Sequence, residues 1–157
     1  MALALLYRPK AMDAKRTNHT HPARFAVWEI PAVEKKILVV DDDLHSREGL
    51  RDSLRTEGFR VETAADAWEA IRKVKEGRFD MAIVDLDLPP VHGLNMGGWD
   101  LARIFRAYHP AIRLIVVSAE DPEIVRAEAE QMRVPLLLEK PISPARLKKM
   151  VVKALES

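Results

Sequence analysis

Carboxylates, a hydroxyl and an ammonium stand in four short clusters of this chain: Asp41-Asp42-Asp43, Asp85-Leu86-Asp87-Leu88-Pro89, Ser118-Ala119-Glu120 and Glu139-Lys140-Pro141. Each follows directly on an apolar run. If such groups converge, the carboxylates repel one another unless a hard cation sits among them. Magnesium takes oxygen ligands octahedrally and keeps several waters, so two carboxylates, a carbonyl and a phosphate oxygen would suit it. An aspartate beside that ion can act as a nucleophile toward phosphorus. A lysine and a serine can hold the other phosphoryl oxygens by charge and hydrogen bond. The residue types are therefore suited to making an aspartyl phosphate.

Convergence needs a scaffold, and the apolar runs supply one. They are Ile37–Val40, Phe59–Thr63, Met81–Val84, Ile112–Val117 and Val134–Leu138. The first, third and fourth are β-branched and almost uninterrupted, as in strands covered on both faces. The second alternates and suits an edge. Helical patterns follow each run. Leu50 and Leu54 lie one turn apart in a helix that stops at Gly58. Asp66 with Glu69 has the spacing of a capping box, and that helix ends at Gly77. Asp121-Pro122 and Ser143-Pro144 place a capping side chain before a proline at the first helical position. Leu147, Met150, Val151, Ala154 and Leu155 form the stripe of the last helix. Asp43, just before Leu44, reads as a cap or loop residue. Five strand-then-helix units with right-handed crossovers predict an α/β doubly wound parallel sheet with helices on both faces. In such sheets ligands bind beyond the carboxyl ends of the strands, where all four clusters fall.

Composition narrows the alternatives. The chain has 157 residues, 48% of them apolar, enough for one domain with a packed core. Lysine plus arginine number 25 and acidic residues 24, a balance with no general case for direct nucleic-acid binding. The absence of cysteine excludes a disulfide scaffold, a thiolate metal site and a cysteine nucleophile. No apolar run approaches the roughly 18 residues needed to span a bilayer, and Met1–Tyr7 lacks the charge of a signal peptide, so the expectation is a cytoplasmic protein. Residues 1–34 are basic, with Arg8, Lys10, Lys15, Arg16 and Arg24 against Asp13, Glu29 and Glu34. They read as a partly disordered N-terminal extension whose run Phe25–Ile30 could dock on a surface, followed by a domain over 35–157. His19, His21, His45, His92 and His109 show no metal-ligand spacing and read as surface residues.

On Ile37-Leu-Val-Val-Asp-Asp42, Asp85-Leu-Asp-Leu-Pro89, Val117-Ser-Ala119 and Lys140-Pro141, residues 36–157 resemble the receiver domain of two-component response regulators. The resemblance implies a flavodoxin-like sheet in strand order 2-1-3-4-5. It implies that Asp85 accepts a phosphoryl group with Mg2+ bound. Asp41 and Asp42 would be the acidic pair at the metal, Asp42 the better direct ligand, with Asp85 and the backbone carbonyl of Asp87 completing the protein ligands. Ser118 and the Ala119 amide would hydrogen-bond the phosphoryl group, Lys140 would pair with it, and Pro141 would follow a cis peptide bond. The donor would be a histidine kinase or a histidine phosphotransfer protein. The expectation is a stand-alone receiver without an output domain, read by another protein docking on residues about 121–156, a region made basic by Arg126, Arg133, Arg146, Lys148 and Lys149.

Three departures stand out against the family pattern. Leu137 lies where the family carries an aromatic residue that reports phosphorylation. Asp87 and Glu120 are acidic at the positions two after the phosphoacceptor and two after Ser118, where attacking water is influenced. Gly93 lies eight residues after Asp85, yet Gly98-Trp-Asp-Leu-Ala-Arg103 looks like the start of the third helix. Leu94–Gly98 then reads as a five-residue insertion with a loosened end, either a gate beside Asp85 or neutral. Two other readings compete. Asp85-Leu-Asp87 also resembles the Asp-x-Asp nucleophile of haloacid-dehalogenase-type phosphatases, but theirs lies on the first strand, and here Asp41-Asp42 precede it. A pseudo-receiver that only binds partners would not need the intact acidic set. The expectation is a switch and not a turnover enzyme.

Overall fold

The computed structural model describes residues 34–93 and 95–156. The expected extension with its Phe25–Ile30 run, His19 and His21, Leu94 and Ser157 lie outside the described residues. Ten elements alternate: β1 (Lys36–Val40), α1 (Leu44–Arg55), β2 (Arg60–Ala64), α2 (Ala67–Glu76), β3 (Met81–Asp85), α3 (Gly98–Tyr108), β4 (Arg113–Ser118), α4 (Pro122–Gln131), β5 (Leu136–Glu139) and α5 (Pro144–Glu156). The strands form one parallel sheet in the order β2-β1-β3-β4-β5, which is the expected order, with the alternating strand at an edge.

Alternation along each strand divides the core in two. Leu38, Val40, Ala82, Val84, Leu114 and Val116 face α2 and α3, meeting Ala70, Val74, Leu101 and Phe105. Ile37, Val39, Met81, Ile83, Ile115 and Val117 face α1 and α5, meeting Leu50, Leu54, Leu147 and Val151. Both faces are dry, which is why the runs are continuous in sequence. β5 starts at Leu136, two residues later than the apolar run, because Pro135 has no N–H to give to a ladder.

The helix boundaries follow capping chemistry. Asp43 accepts from the Ser46 amide at 2.7 Å. Asp66 accepts from the Glu69 amide at 2.8 Å, and Glu69 reaches back to the Ala65 amide at 2.9 Å. Asp121 and Ser143 cap α4 and α5 ahead of their prolines. Gly58, after α1, has φ +88, a conformation that favours glycine. One expectation fails. His109 is not a surface residue: it is half-buried, with Nε2 at 2.9 Å from the Val74 carbonyl and 2.8 Å from the Gly77 carbonyl. It fastens the end of α3 to the end of α2, a contact between segments far apart in sequence.

α3 begins at Gly98, as the motif predicts. The segment before it is less loose than the glycines suggest, since Met96 packs against the core on the α2–α3 face. Gly98 itself is buried on the end of β3. A Cβ there would lie 2.7 Å from Leu86 Cα, 2.8 Å from Leu86 Cδ2 and 2.9 Å from the Asp85 carbonyl oxygen. Two of these atoms are backbone, so either the helix or the strand end must move. Gly98→Ala should therefore lower stability by about 1–3 kcal/mol, the usual cost of overpacking. Urea denaturation measures the loss, and the amide resonances of Asp85 and Leu86 should shift in the same variant.

Candidate functional site

Strand register builds the site. Val40 pairs with Val84, and Asp85 with Val117. The Asp41 amide continues the ladder to the Ala64 carbonyl, so Asp41 leaves β1 level with the end of β3. In the alternation of β3, Asp85 follows Met81 and Ile83 onto the α1–α5 face. The Lys140 amide donates to the Ser118 carbonyl at 2.8 Å, which carries the lysine one step beyond β5 and brings it beside β4. The Lys140-Pro141 bond is cis, as expected.

The four clusters do converge. Oxygens of Asp41, Asp42 and Asp85 all lie within 4.8 Å of one another. Asp85 is 3% exposed and Ser118 1%. Lys140 Nζ donates to Asp85 Oδ2 at 2.8 Å, and the Asp87 amide donates to Asp85 Oδ1 at 2.8 Å. The Ser118 hydroxyl accepts from the Glu120 amide at 3.0 Å. Asp43 belongs to the cap of α1, and its own amide donates to Asp41 Oδ1 at 2.9 Å. Arg47 donates to the Asp41 carbonyl at 2.8 Å and ties α1 to this loop. A cleft of about 350 Å³ opens here, with Asp41, Asp42, Asp85 and Lys140 on its polar side and Leu50, Ile142 and Leu147 on its apolar side.

The electrostatics follow from burial. Desolvation pushes the Asp85 carboxyl above its ordinary value, and the charge of Asp41 adds to the rise, against the lowering hydrogen bonds from Lys140 and Asp87. Burial alone would lower Lys140, but its bonds and charge contacts with Asp85 and Asp87 outweigh that and hold it above its usual value. The Lys140 pairing is thus fully present at neutral pH and is lost only as pH rises through the folded-state value. For Asp85 the sign is opposite: folding disfavours its ionised form, so stability rises as pH falls through its raised value.

The donor set fits a hard divalent cation. Three carboxylates offer oxygen ligands only, and an ionised carboxylate has about four acceptor sites, so Asp85 keeps capacity beyond its two hydrogen bonds. Asp87 takes another place. Its carboxylate is outside the acidic group and accepts from the Ala119 amide at 2.8 Å and from the Ser118 hydroxyl at 3.4 Å. Reading the sequence missed this contact and the packing of Gly98 on Asp85. The signals were present, an acid two residues after Asp85 and a glycine opening α3, but neither names its distant partner. Leu137 is half-buried and packs against the α2–α3 core. Of the basic residues over 121–156, Arg126 pairs with Glu123 at 2.8 Å and Lys148 with Glu57 at 3.2 Å, so part of that charge is used within the chain.

Known proteins share this fold. The family model described as the response regulator receiver domain matches residues 37–152. The chain is similar to the response regulator MprA of Mycobacterium sp. (strain KMS), 36% identical over 86 residues that make up 55% of this chain and 35% of that protein. MprA of Mycobacterium ulcerans (strain Agy99) matches over the same shares. The chain thus spans about a third of the length of these curated relatives. Among solved structures, a CheY-like receiver domain protein from Methanospirillum hungatei JF-1 is 27% identical with a TM-score of 0.70, covering 79% of this chain and 95% of that one. Chemotaxis protein CheY4 of Vibrio cholerae is 28% identical with a TM-score of 0.68, covering 77% and 98%. With its strand order, its acidic edge and a family match over most of its length, the chain belongs to the response regulator receiver domain family.

Proposed function

We propose that this chain is a phosphoryl-accepting signalling switch in which Asp85 takes a phosphoryl group from a histidine kinase or a histidine phosphotransfer protein. One observation carries the reading. The buried Asp85 carboxylate, bonded to Lys140 at 2.8 Å, lies at the carboxyl edge of the sheet with Asp41 and Asp42 oxygens within 4.8 Å. An Asp85 carboxylate oxygen forms the new bond to phosphorus while the phosphorus–nitrogen bond of the donor breaks. The electron pair stays with the imidazole nitrogen. Lys140, the Ser118 hydroxyl and the Ala119 amide hold the phosphoryl oxygens, supplying a cation and two hydrogen bonds where negative charge accumulates.

Asp41, Asp42, Asp85 and the backbone carbonyl of Asp87 would hold Mg2+. When bound, that ion neutralises the repulsion among the carboxylates and the incoming phosphoryl group. The chain itself turns over no substrate beyond its own phosphorylation and slow loss of phosphate. Its product is a changed surface, read by a partner protein over residues about 121–156, and it contacts no nucleic acid directly. Among the described residues no helix is long and apolar enough to cross a membrane, and the proposed setting is the cytoplasm.

Acetyl phosphate should label the protein only when magnesium is present, with mass spectrometry after chemical trapping placing the adduct on Asp85. Wild-type labelling in Asp85→Ala would overturn the assignment. A second expectation concerns stability. Because folding disfavours ionised Asp85, Asp85→Asn should melt at a higher temperature than the wild type at pH 7 without magnesium. Calorimetry should show that gap closing as pH falls and wild-type Asp85 becomes protonated. Added magnesium should close it too, by binding the wild-type site better than the variant.

A further inference from the structure

The three groups proposed to hold phosphoryl oxygens are not free in this structure. The Ala119 amide donates to Asp87 Oδ2 at 2.8 Å. The Ser118 hydroxyl donates to Asp87 Oδ1 at 3.4 Å. Lys140 Nζ, besides its bond to Asp85, lies 3.4 Å from Asp87 Oδ2. One carboxylate therefore faces an amide, a hydroxyl and an ammonium from the ends of two other strands. The contact is not a local turn, because Asp87 Oδ1 and Oδ2 meet residues 31 and 32 positions away. Its own amide is held by Asp85 Oδ1 at 2.8 Å, which fixes the peptide from which the side chain reaches across.

We propose that Asp87 is an internal anion that occupies the phosphoryl-binding donors of the resting protein, so that phosphorylation of Asp85 must displace it. The inference rests on the reading of Asp85 as phosphoryl acceptor. An amide N–H is a single donor and cannot serve Asp87 and a phosphoryl oxygen at full strength together. A phosphoryl group on Asp85 also brings about −1.5 to −2 charges near neutral pH, and a second anion on the same donors is repelled. The aspartate side chain is one-third exposed, so it has room to turn toward solvent. The competition is electrostatic and geometric, and it acts before any step of hydrolysis. It also gives this chain a moving part other than an aromatic side chain at position 137. Displacing Asp87 releases the first residue after Leu86 in the segment that leads through Leu88 and Pro89 to α3.

Beryllofluoride becomes tetrahedral when a carboxylate oxygen binds it beside magnesium and so mimics a phosphoryl group there, and its binding can be read by fluorine NMR without any turnover. Asp87→Ala, which leaves the backbone carbonyl in place, should bind it at least tenfold more tightly than the wild type and be labelled faster by acetyl phosphate. Asp87→Asn should fall between the two, because its amide oxygen still accepts from Ala119 but carries no charge. Glu120→Gln removes one negative charge from the neighbouring loop without freeing a donor, and should change the affinity less than threefold. The Ala119 amide proton should move upfield in uncomplexed Asp87→Ala, as its bond to a carboxylate is lost. Equal affinity in wild type and Asp87→Ala, or an equal gain in Glu120→Gln, would overturn the inference while leaving Asp85 as acceptor. An unshifted Ala119 amide would overturn the contact itself. Binding to neither wild type nor Asp87→Ala would overturn the acceptor reading and this inference with it.

Discussion

Asp85 ends the central part of a parallel sheet with its carboxylate almost out of water, and an ionised group in that position is costly unless donors and cations face it. The edge is organised around that requirement. Lys140 supplies the cation, the Asp87 amide supplies a hydrogen bond, and the oxygens of Asp41 and Asp42 close the other side. The balance is incomplete: Asp41, Asp42, Asp85 and Asp87 bring four carboxylates to the edge against the one ammonium of Lys140, and burial still raises the Asp85 carboxyl. A site left with surplus negative charge and oxygen ligands binds a small divalent cation readily, and a cation there makes room for a further anion.

Such precision needs a rigid support. The support is a sheet buried on both faces, with strand positions alternating between the α2–α3 and α1–α5 cores. Parallel register places the ends of β1, β3, β4 and β5 side by side, so Asp85 and Lys140, 55 positions apart, stand within a hydrogen bond. Gly98 adds a second constraint. By packing the start of α3 directly on the Asp85 carbonyl and Leu86, it couples the helix to the peptide that carries the central carboxylate. The β3–α3 connection meets the core at Leu88, Met96 and Gly98, while Pro89, Pro90, His92, Gly93, Asn95 and Gly97 are exposed.

Two side chains next to the site have distinct surroundings. Leu137 packs as an aliphatic side chain against the α2–α3 core, with no ring to change rotamer. Beside it, Asp87 has its carboxylate on Ser118, Ala119 and Lys140.

Much was determined by local chemistry and could be read from the chain alone. Continuous β-branched runs dictate strands covered on both faces, and Asp43, Asp66, Asp121 and Ser143 mark helix starts because a side-chain oxygen answers free amides next to it. The order of strand and helix then implies the parallel sheet and the edge on which the acidic and basic clusters meet. What only the tertiary structure decided are pairings between residues distant in sequence. His109 reads as an ordinary surface histidine until α2 and α3 bring two carbonyls to its ring. Gly98 reads as a helix start until its missing Cβ is seen to be required by the backbone of Asp85. Asp87 reads as a neighbour of attacking water until the end of β4 presents an amide and a hydroxyl to its carboxylate. Residue type and spacing specify what a group can bond to within a few positions along the chain. Which of several acids takes a given donor is decided by distances of a few tenths of an ångström, and those are set only when the strands are in register and the helices are packed.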